Sequence, residues 1–479
     1  MTTPYPRDMR GHGRHAPDPQ WPNPGGSGPA KICVQFVVNY EEGGENAVIH
    51  GDKASEAFLS EIVGAAPWPG QRHMNMESIY EYGARAGFWR LWRLFTERAM
   101  PVTVYGVATA LERSPEQVAA MREAGWEIAS HGLKWIDYRD HAWDAERADM
   151  DEALALHEAV TGEAPLGWYT GRSSEHTLEL AAERDFLYVS DTYADDLPYW
   201  QETRSKPLLV LPYTLDSNDM RFATPQGFNT GEHFFSYLKD AFDALYQEGE
   251  AGAAKMLNVG LHCRLAGRPG RSAALARFLD YVRSKPDVWV ATRADIARHW
   301  RARFPYRETI APSRMERSVF LDLFGGIYEH SPFLAQRAYD RGLGRAHDTA
   351  EGLAAALAVQ FRRATREERL GVLRAHPDLA GRLALAGELT AESSAEQASV
   401  GLDRLTPDEL ARFTDLNARY QARFGFPFIV AVRGLTKDDV LAAFEDRLGN
   451  DQETEIRTAC AQVERIARLR LDAILGSGA

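Results

Sequence analysis

The sequence predicts two domains in tandem, a βα barrel followed by an all-α domain, and three observations support that prediction. From Ile32 to about Trp300, short β-branched or aromatic runs alternate with helical patterns, as strands joined by helices do. After about residue 314, amphipathic segments dominate, and the only comparably β-rich run is FPFIVAV, residues 426–432, which suits a helical domain. The length of 479 residues also exceeds the roughly 150 of one ordinary domain.

Taken in order, residues 1–30 are crowded with Pro and Gly, cannot sustain a helix, and read as an extended arm packed on the barrel. Residues 31–300 form the predicted barrel. Its strand candidates are ICVQFVVNY, PVTVYGV, WEIASHG, LGWYT, FLYVSDT, LLVLPY, LNVGLH and VWVATR, with helices such as ESIYEYGARAGFWRLWRLFTER between them. Seven or eight such runs predict a closed or nearly closed barrel. Residues 301–314, with two prolines and several charges, read as a linker. Residues 315–479 form the predicted all-α domain, with helical spacing around Glu351–Ala364 and in the terminal ETEIRTACAQVERIARLRLDAIL.

Composition narrows the function. The 44% hydrophobic and 26% charged residues describe a globular chain with enough apolar surface to fold without disulfides. A net charge of −13 opposes non-specific binding to nucleic acid or anionic membrane, so small molecules are the expected partners. Cys33, Cys263 and Cys460 are too scattered for a disulfide framework or a thiolate zinc site. The N-terminal stretch has no apolar leader, and no run approaches the ~18 apolar residues of a membrane span. A cytoplasmic protein is expected.

Catalytic groups of βα barrels come from the C-terminal ends of strands. Here those ends carry Asn39 and Glu41, Ser130 and His131, Asp191, Tyr213 and Asp216, and His262. Any one of them alone could be a solvated loop start, but their convergence on one mouth points to chemistry.

The segments YPRDM, VQFVVNYEEGGE, ASHGLKW, GWYTGRSSEHT, SDTYADDLPYW, LPYTLDSNDMRF, LHCRLAGRPGR and RADIARHW resemble the allantoinase branch of the polysaccharide deacetylase superfamily over roughly residues 5–300. The resemblance implies a distorted (β/α) barrel of polysaccharide deacetylase type that hydrolyses the hydantoin ring of allantoin to allantoate. Metal-dependent members of the superfamily share an Asp-Asp pair and a His-x-x-x-His motif. The matching positions here are Asn39 with Glu41, and His131 with Trp135. An indole N–H cannot coordinate, so neither a metal nor any other cofactor is expected. Metal-free amide hydrolysis needs a base for water, a donor for the oxyanion and an acid for the leaving nitrogen. Glu41 is the candidate base or acid, and His131 and His262 are candidates for proton transfer or oxyanion donation. Asn39, Trp135, Arg172 and Asp191 are candidates for substrate binding. Arg172 and Asp191 equally suit an ion pair tying two loops, while Trp135 and Trp168 suit either the mouth or the core. GRPGR matches no phosphate loop and reads as a turn, with Arg268 or Arg271 available to an anionic product.

In the second half FGGIYEHSP stands out, and HPDLAG, SSAEQ, NARYQARFGFPFIVAVRG and RIARLRL resemble the decarboxylases of 2-oxo-4-hydroxy-4-carboxy-5-ureidoimidazoline (OHCU). Without that resemblance, His376 before a proline could simply cap a helix. The resemblance implies that His376 transfers the proton, beside Pro377. It places Ser393, Ser394, Ala395, Glu396 and Gln397 in a substrate loop where Glu396 is catalytic. It also places Phe428, Ile429, Val430, Ala431 and Val432 in a segment whose backbone contacts the substrate, and Arg470 near the substrate carboxylate. The conjugated imidazoline delocalises the carbanion left by carbon dioxide, so the decarboxylation needs no cofactor.

The two resemblances name consecutive steps, from OHCU to (S)-allantoin and from allantoin to allantoate. A bifunctional urate-degrading enzyme that forms a homo-oligomer is therefore expected. The alternatives are a metal-dependent amidohydrolase, carbohydrate deacetylase or cyclic imide hydrolase in the barrel, with the helical half serving as an oligomerisation module.

Overall fold

β1 (Ile32–Tyr40) is the spine of the first unit, and every residue in it is buried. The later strands are β2 (Thr103–Gly106), β3 (Glu127–Ser130), β4 (Gly167–Trp168), β5 (Tyr188–Val189), β6 (Tyr199–Gln201), β7 (Leu208–Val210), β8 (Lys255–His262) and β9 (Val288–Val290). The computed structural model describes residues 11–12, 16–306, 310–379 and 405–476. It divides the chain into two units, Met1–Tyr306 and Arg307–Ala479.

The strands form one sheet in the order β6-β7-β5-β4-β3-β2-β1-β8. β8 runs parallel to β1 along Ile32–Asn39. The other edge of β1 is shared, with β9 beside Ile32–Val34 and β2 beside Val37–Tyr40. All pairings are parallel except β6 with β7. The sheet curls into the half-barrel that the deacetylase-type expectation implies, and only full closure is corrected, because no continuous ladder joins its two sides. An antiparallel strand, β6, ends one side, and β8 is joined to the chain beyond β7 by the single β-bridge Asn218–Gly260 rather than by a ladder. β6 was not among the expected strands, whereas each of the eight expected runs contains one.

The side chains of β1 alternate between two cores, as a strand's period of two requires. Ile32, Val34, Phe36, Val38 and Tyr40 join the cluster that includes Phe88, Phe95, Phe278 and Leu279, while Cys33 and Val37 join Tyr105, Tyr169 and Tyr213. Gln35, Asn39 and Glu41 share the face of Cys33 and Val37. Arg293, wholly buried, gathers this inner face. Its guanidinium donates to Gln35 Oε1 and Asn258 Oδ1, each at 2.6 Å, to Ser190 Oγ at 2.9 Å and to the carbonyls of Leu211 and Pro212. Five acceptors supplied by β1, β8 and the segments around β5 and β7 offset the cost of burying that charge.

Two glycines bring the backbone close behind the site. The helical stretch Met74–Tyr82 continues through a wide π-type turn, Gly83–Gly87, into Phe88–Thr96. A Cβ on Gly87 would lie 2.0 Å from the Cys263 carbonyl oxygen, and one on Gly267 would lie 2.1 Å from the same atom. Only glycine permits this approach. Within the arm, Trp21 is buried, pairs with Ala30 and donates its indole N–H to the Lys255 carbonyl.

The second unit is helical among its described residues, with helices Arg317–Phe324, Phe333–Asp340, Ala350–Arg363, Arg366–Arg374, Pro407–Phe424, Lys437–Arg447 and Gln452–Leu475. Thr365, Thr406 and Thr436 start helices with reciprocal capping boxes to Glu368, Glu409 and Asp439, which satisfies otherwise unpaired amides. Leu353, Leu357, Phe413, Tyr420, Phe444, Val463 and Leu471 fill the core. The β-rich run at residues 426–432 forms no strand. Side chains hold its backbone instead: Arg447 donates to the Ile429 carbonyl at 2.7 Å, and Gln462 Oε1 accepts from Ala431 N at 3.0 Å.

Candidate active sites

Glu41 immediately follows β1, His131 follows β3, and His262 ends β8. The sheet order brings these three together from 90 or more residues apart in sequence. Glu41 Oε1 lies 3.5 Å from His131 Nε2 and 3.3 Å from His262 Nε2, with all three side chains buried. Burial alone would raise the Glu41 carboxyl, but the Arg264 guanidinium and His262 outweigh it and hold the group well below the ordinary carboxylate range. Glu41 is therefore held as a carboxylate, which suits an acceptor of protons.

Behind His262 stands Asp219. Its Oδ1 is 2.6 Å from His262 Nδ1, and its Oδ2 accepts the backbone N–H groups of His262 at 2.7 Å and Ala266 at 2.8 Å. Burial disfavours charge on the imidazole, yet Glu41 and Asp219 on its two sides raise His262 to about 9. At neutral pH it is an imidazolium with Nε2–H facing Glu41, a proton donor ready for a leaving group.

Arg264 completes the cluster. It is fully buried, 2.6 Å from Glu41 Oε2 and 3.7 Å from Glu42 Oε1. Tyr80 and Trp135 lie against its guanidinium at 4.4 and 5.2 Å. Glu42 Oε1 also accepts the Arg264 backbone N–H. Burial pushes the Glu42 carboxyl up, opposed by Arg264, and raises Glu45 to about 7. An aromatic wall flanks His131: Tyr169 lies 4.9 Å from the imidazole, stacked on Tyr105 at 4.7 Å and edge-on to Tyr213 at 5.0 Å.

The remaining expected residues divide. Asn39 donates to Tyr213 Oη at 2.9 Å and to the Leu261 carbonyl at 3.2 Å, so it braces the inner face beside the cluster. Trp135 is both core and lining, buried under Phe58 and stacked with Arg172 at 4.4 Å. Arg172 and Asp191 do not pair with each other, which corrects the ion-pair reading. Arg172 donates to the Trp135 carbonyl and lies over Phe58. Asp191 accepts from Thr170 N, Thr170 Oγ1 and Gly171 N, and burial raises its carboxyl. Asp216 takes the Thr214 and Tyr237 hydroxyls, and Trp168 packs on Phe186. Arg268 and Arg271 turn to Glu61, at 4.0 and 2.5 Å, and to the rings of Tyr82 and Phe222. Asp219, Arg264, Glu42, Tyr105 and Tyr169 were not foreseen as site residues, whereas Tyr213 stood among the expected strand-end residues. The signals for the first two were their places in LDSNDMRF and two residues after His262.

The residues present do not suit a divalent ion. Trp135 offers an indole where the metal-dependent pattern has an imidazole. A guanidinium already neutralises Glu41. Among the described residues, no group of three or more His, Cys, Asp or Glu is arranged to hold an ion.

In the second unit, His376 follows the helix Arg366–Arg374, and its Nδ1 is 2.9 Å from the Val372 carbonyl. A carbonyl only accepts, so Nδ1 carries a proton. Pro377 is half-buried beside it. Phe428, Ile429, Ala431 and Val432 are buried and Val430 is half-buried. Arg470 Nη1 pairs with Glu329 Oε2 at 2.7 Å and reaches the Ile327 carbonyl, so part of its donor fork is engaged by the protein. Ser393, Ser394, Ala395, Glu396 and Gln397 lie outside the described residues.

Comparison with known proteins gives both halves a family. The polysaccharide deacetylase model matches residues 76–188, and the OHCU decarboxylase model matches residues 313–472. The solved structure of Puue allantoinase is 56% identical, covering 63% of this chain and 99% of that one, with a TM-score of 0.61. That of a probable polysaccharide deacetylase from Pseudomonas aeruginosa PAO1 is 57% identical, covering 63% and 100%, with the same TM-score. The 2-oxo-4-hydroxy-4-carboxy-5-ureidoimidazoline decarboxylase of Haloferax volcanii is 43% identical over 159 residues, 33% of this chain and 90% of that protein. This chain belongs to the polysaccharide deacetylase family through its first unit and to the OHCU decarboxylase family through its second.

Proposed function

We propose that the chain is a bifunctional enzyme of urate breakdown: the helical unit decarboxylates OHCU to (S)-allantoin, and the barrel unit opens allantoin to allantoate. The observation that carries the barrel reading is Glu41 set between His131 and His262, together with the likeness to Puue allantoinase across nearly all of that protein. Hydrolysis adds water to the ring carbonyl and breaks its C–N bond. Glu41 takes the proton from water, His131 faces the reacting oxygen, and the His262 imidazolium protonates the departing ureido nitrogen. Asn39, Trp135, Arg172 and Asp191 shape and line the substrate pocket around that centre.

In the helical unit, His376 carries the proton through Nε2, with Pro377 shaping the turn. Ser393, Ser394, Ala395, Glu396 and Gln397 form the substrate loop. Phe428, Ile429, Val430, Ala431 and Val432 supply the buried wall, and Arg470 steadies the substrate carboxylate. We further propose the boundaries 31–300 for the barrel and 315–479 for the decarboxylase, a cytoplasmic location and a homo-oligomeric assembly.

The test is a single reaction with the full chain, in which OHCU is generated in place and (S)-allantoin and allantoate are followed with time. Loss of OHCU faster than its spontaneous decay, followed by allantoate, is the expected course. Allantoin that accumulates without allantoate, with or without added divalent ions, would overturn the barrel assignment alone. Spontaneous-rate loss of OHCU would overturn the other.

A further inference from the structure

The least explained group in the barrel is Arg264. It is fully buried, and none of Nε, Nη1 and Nη2 makes an aligned hydrogen bond. Its one close polar contact is the 2.6 Å ion pair of Nη2 with Glu41 Oε2. Packing holds the guanidinium in place, with the rings of Tyr80 and Trp135 set against it. Burying a charge with so few hydrogen bonds is costly, and its surroundings show what the charge acts on. Two buried carboxylates, Glu41 and Glu42, and the buried imidazolium of His262 surround the same guanidinium. Without a fixed cation, one carboxylate would take up a proton, and Glu41 would lose its role as acceptor.

We propose that Arg264 is a permanent counter-ion that occupies the cation's place in this pocket. It keeps Glu41 ionised and turned toward His131 and His262, and it bars a divalent ion from the carboxylates. The inference rests on the hydrolase reading of the barrel. Arg264 acts through Glu41 and is a positioning residue. Trp135 is its partner in this role, because the indole that cannot ligate a metal covers the guanidinium. Lysine is a poor replacement, since an ammonium lacks the flat surface that the two rings hold.

The experiment compares the full-length protein with Arg264→Ala and Arg264→Lys. Zinc retained after equilibrium dialysis is measured alongside kcat and KM for allantoin, rescue by added guanidinium chloride, and the melting temperature. Wild type is expected to retain no stoichiometric zinc in the barrel. Arg264→Ala is expected to gain about one equivalent, lost again when His131→Ala is added. Its kcat should fall about 10²-fold with KM nearly unchanged, and millimolar guanidinium should restore part of it. Arg264→Lys should melt near wild type and remain slow.

Stoichiometric zinc in wild type that depends on His131 would overturn the proposal. So would wild-type kcat in either variant, or a folded Arg264→Ala that neither gains zinc nor responds to guanidinium. If Arg264→Ala does not fold, Arg264→Lys decides by its rate. If wild type leaves allantoin intact, the substrate reading fails, while the zinc measurements still test the counter-ion.

Discussion

Asp219 grips His262 from both ends of one carboxylate, with Oδ1 on the ring nitrogen Nδ1 and Oδ2 on the residue's own backbone N–H. The ring and the main chain that carries it are thereby locked together, and Nε2 is left facing Glu41 at 3.3 Å. Asp219→Asn preserves the shape but removes the charge that helps keep the imidazole protonated. It is expected to lower kcat for allantoin opening by about 10²- to 10⁴-fold, with KM changed far less. Steady-state kinetics check this, and an unchanged kcat would remove Asp219 from the proton relay.

The same cluster sets the pH dependence. Allantoin opening should decline as pH rises through about 9, where His262 loses its proton. On the acid side it should persist below the ordinary carboxylate range, because Glu41 stays ionised there. Stability carries the same signs. The folded His262 titrates above its ordinary value, so its contribution is complete below about pH 6.5 and is lost through about 9. Glu41 titrates below its ordinary value, so its contribution is complete above about 4.5 and is lost as pH falls further. Rate and melting profiles of the full chain between pH 4 and 10 provide the check.

His376→Gln separates the two activities. Glutamine has no titratable nitrogen, so OHCU decarboxylation should drop about 10²- to 10⁴-fold, while allantoin supplied directly is still opened at the wild-type rate. Parallel assays with the two substrates read this out, and equal losses in both would mean that the substitution harms the fold.

Arg293 is a structural cation, in contrast to Arg264, since five acceptors receive its hydrogen bonds. Arg293→Met would leave the side chains of Gln35 and Asn258 buried without their donor. It should destabilise the barrel by about 3–5 kcal/mol, measured by urea unfolding.

Much of this was legible in the sequence, for identifiable reasons. β1 is an uninterrupted buried run, and its ends at Ile32 and Tyr40 coincide with the limits of ICVQFVVNY. The polar residues just past β1 and β3 and at the end of β8 marked Glu41, His131 and His262, because parallel strands point their C-terminal ends at one mouth. β6 was hidden because DDLPYW is polar, proline-bearing and half-exposed. Arg172 and Asp191 looked like a pair by charge alone. The Asp191 carboxylate is instead saturated by Thr170 and Gly171, a local arrangement that residue type does not reveal. Arg264 was overlooked because an arginine beside an apolar run usually reaches solvent, and only the folded sheet shows it enclosed. Closure failed as an expectation because counting strands does not tell which edge an antiparallel strand will end.

The alternation along β1 makes that strand a ruler with only two readings. Gln35, Asn39 and Glu41 share a face with Cys33 and Val37, while Val34, Phe36, Val38 and Tyr40 belong to the other. Adding one residue between Ile32 and Tyr40 cannot move Glu41 by a small increment; it exchanges the faces and brings Tyr40 to the place where Glu41 meets His131 and His262. A side chain on β1 can therefore be exchanged in place, whereas a change of one residue in the strand's length replaces the whole set that faces the site.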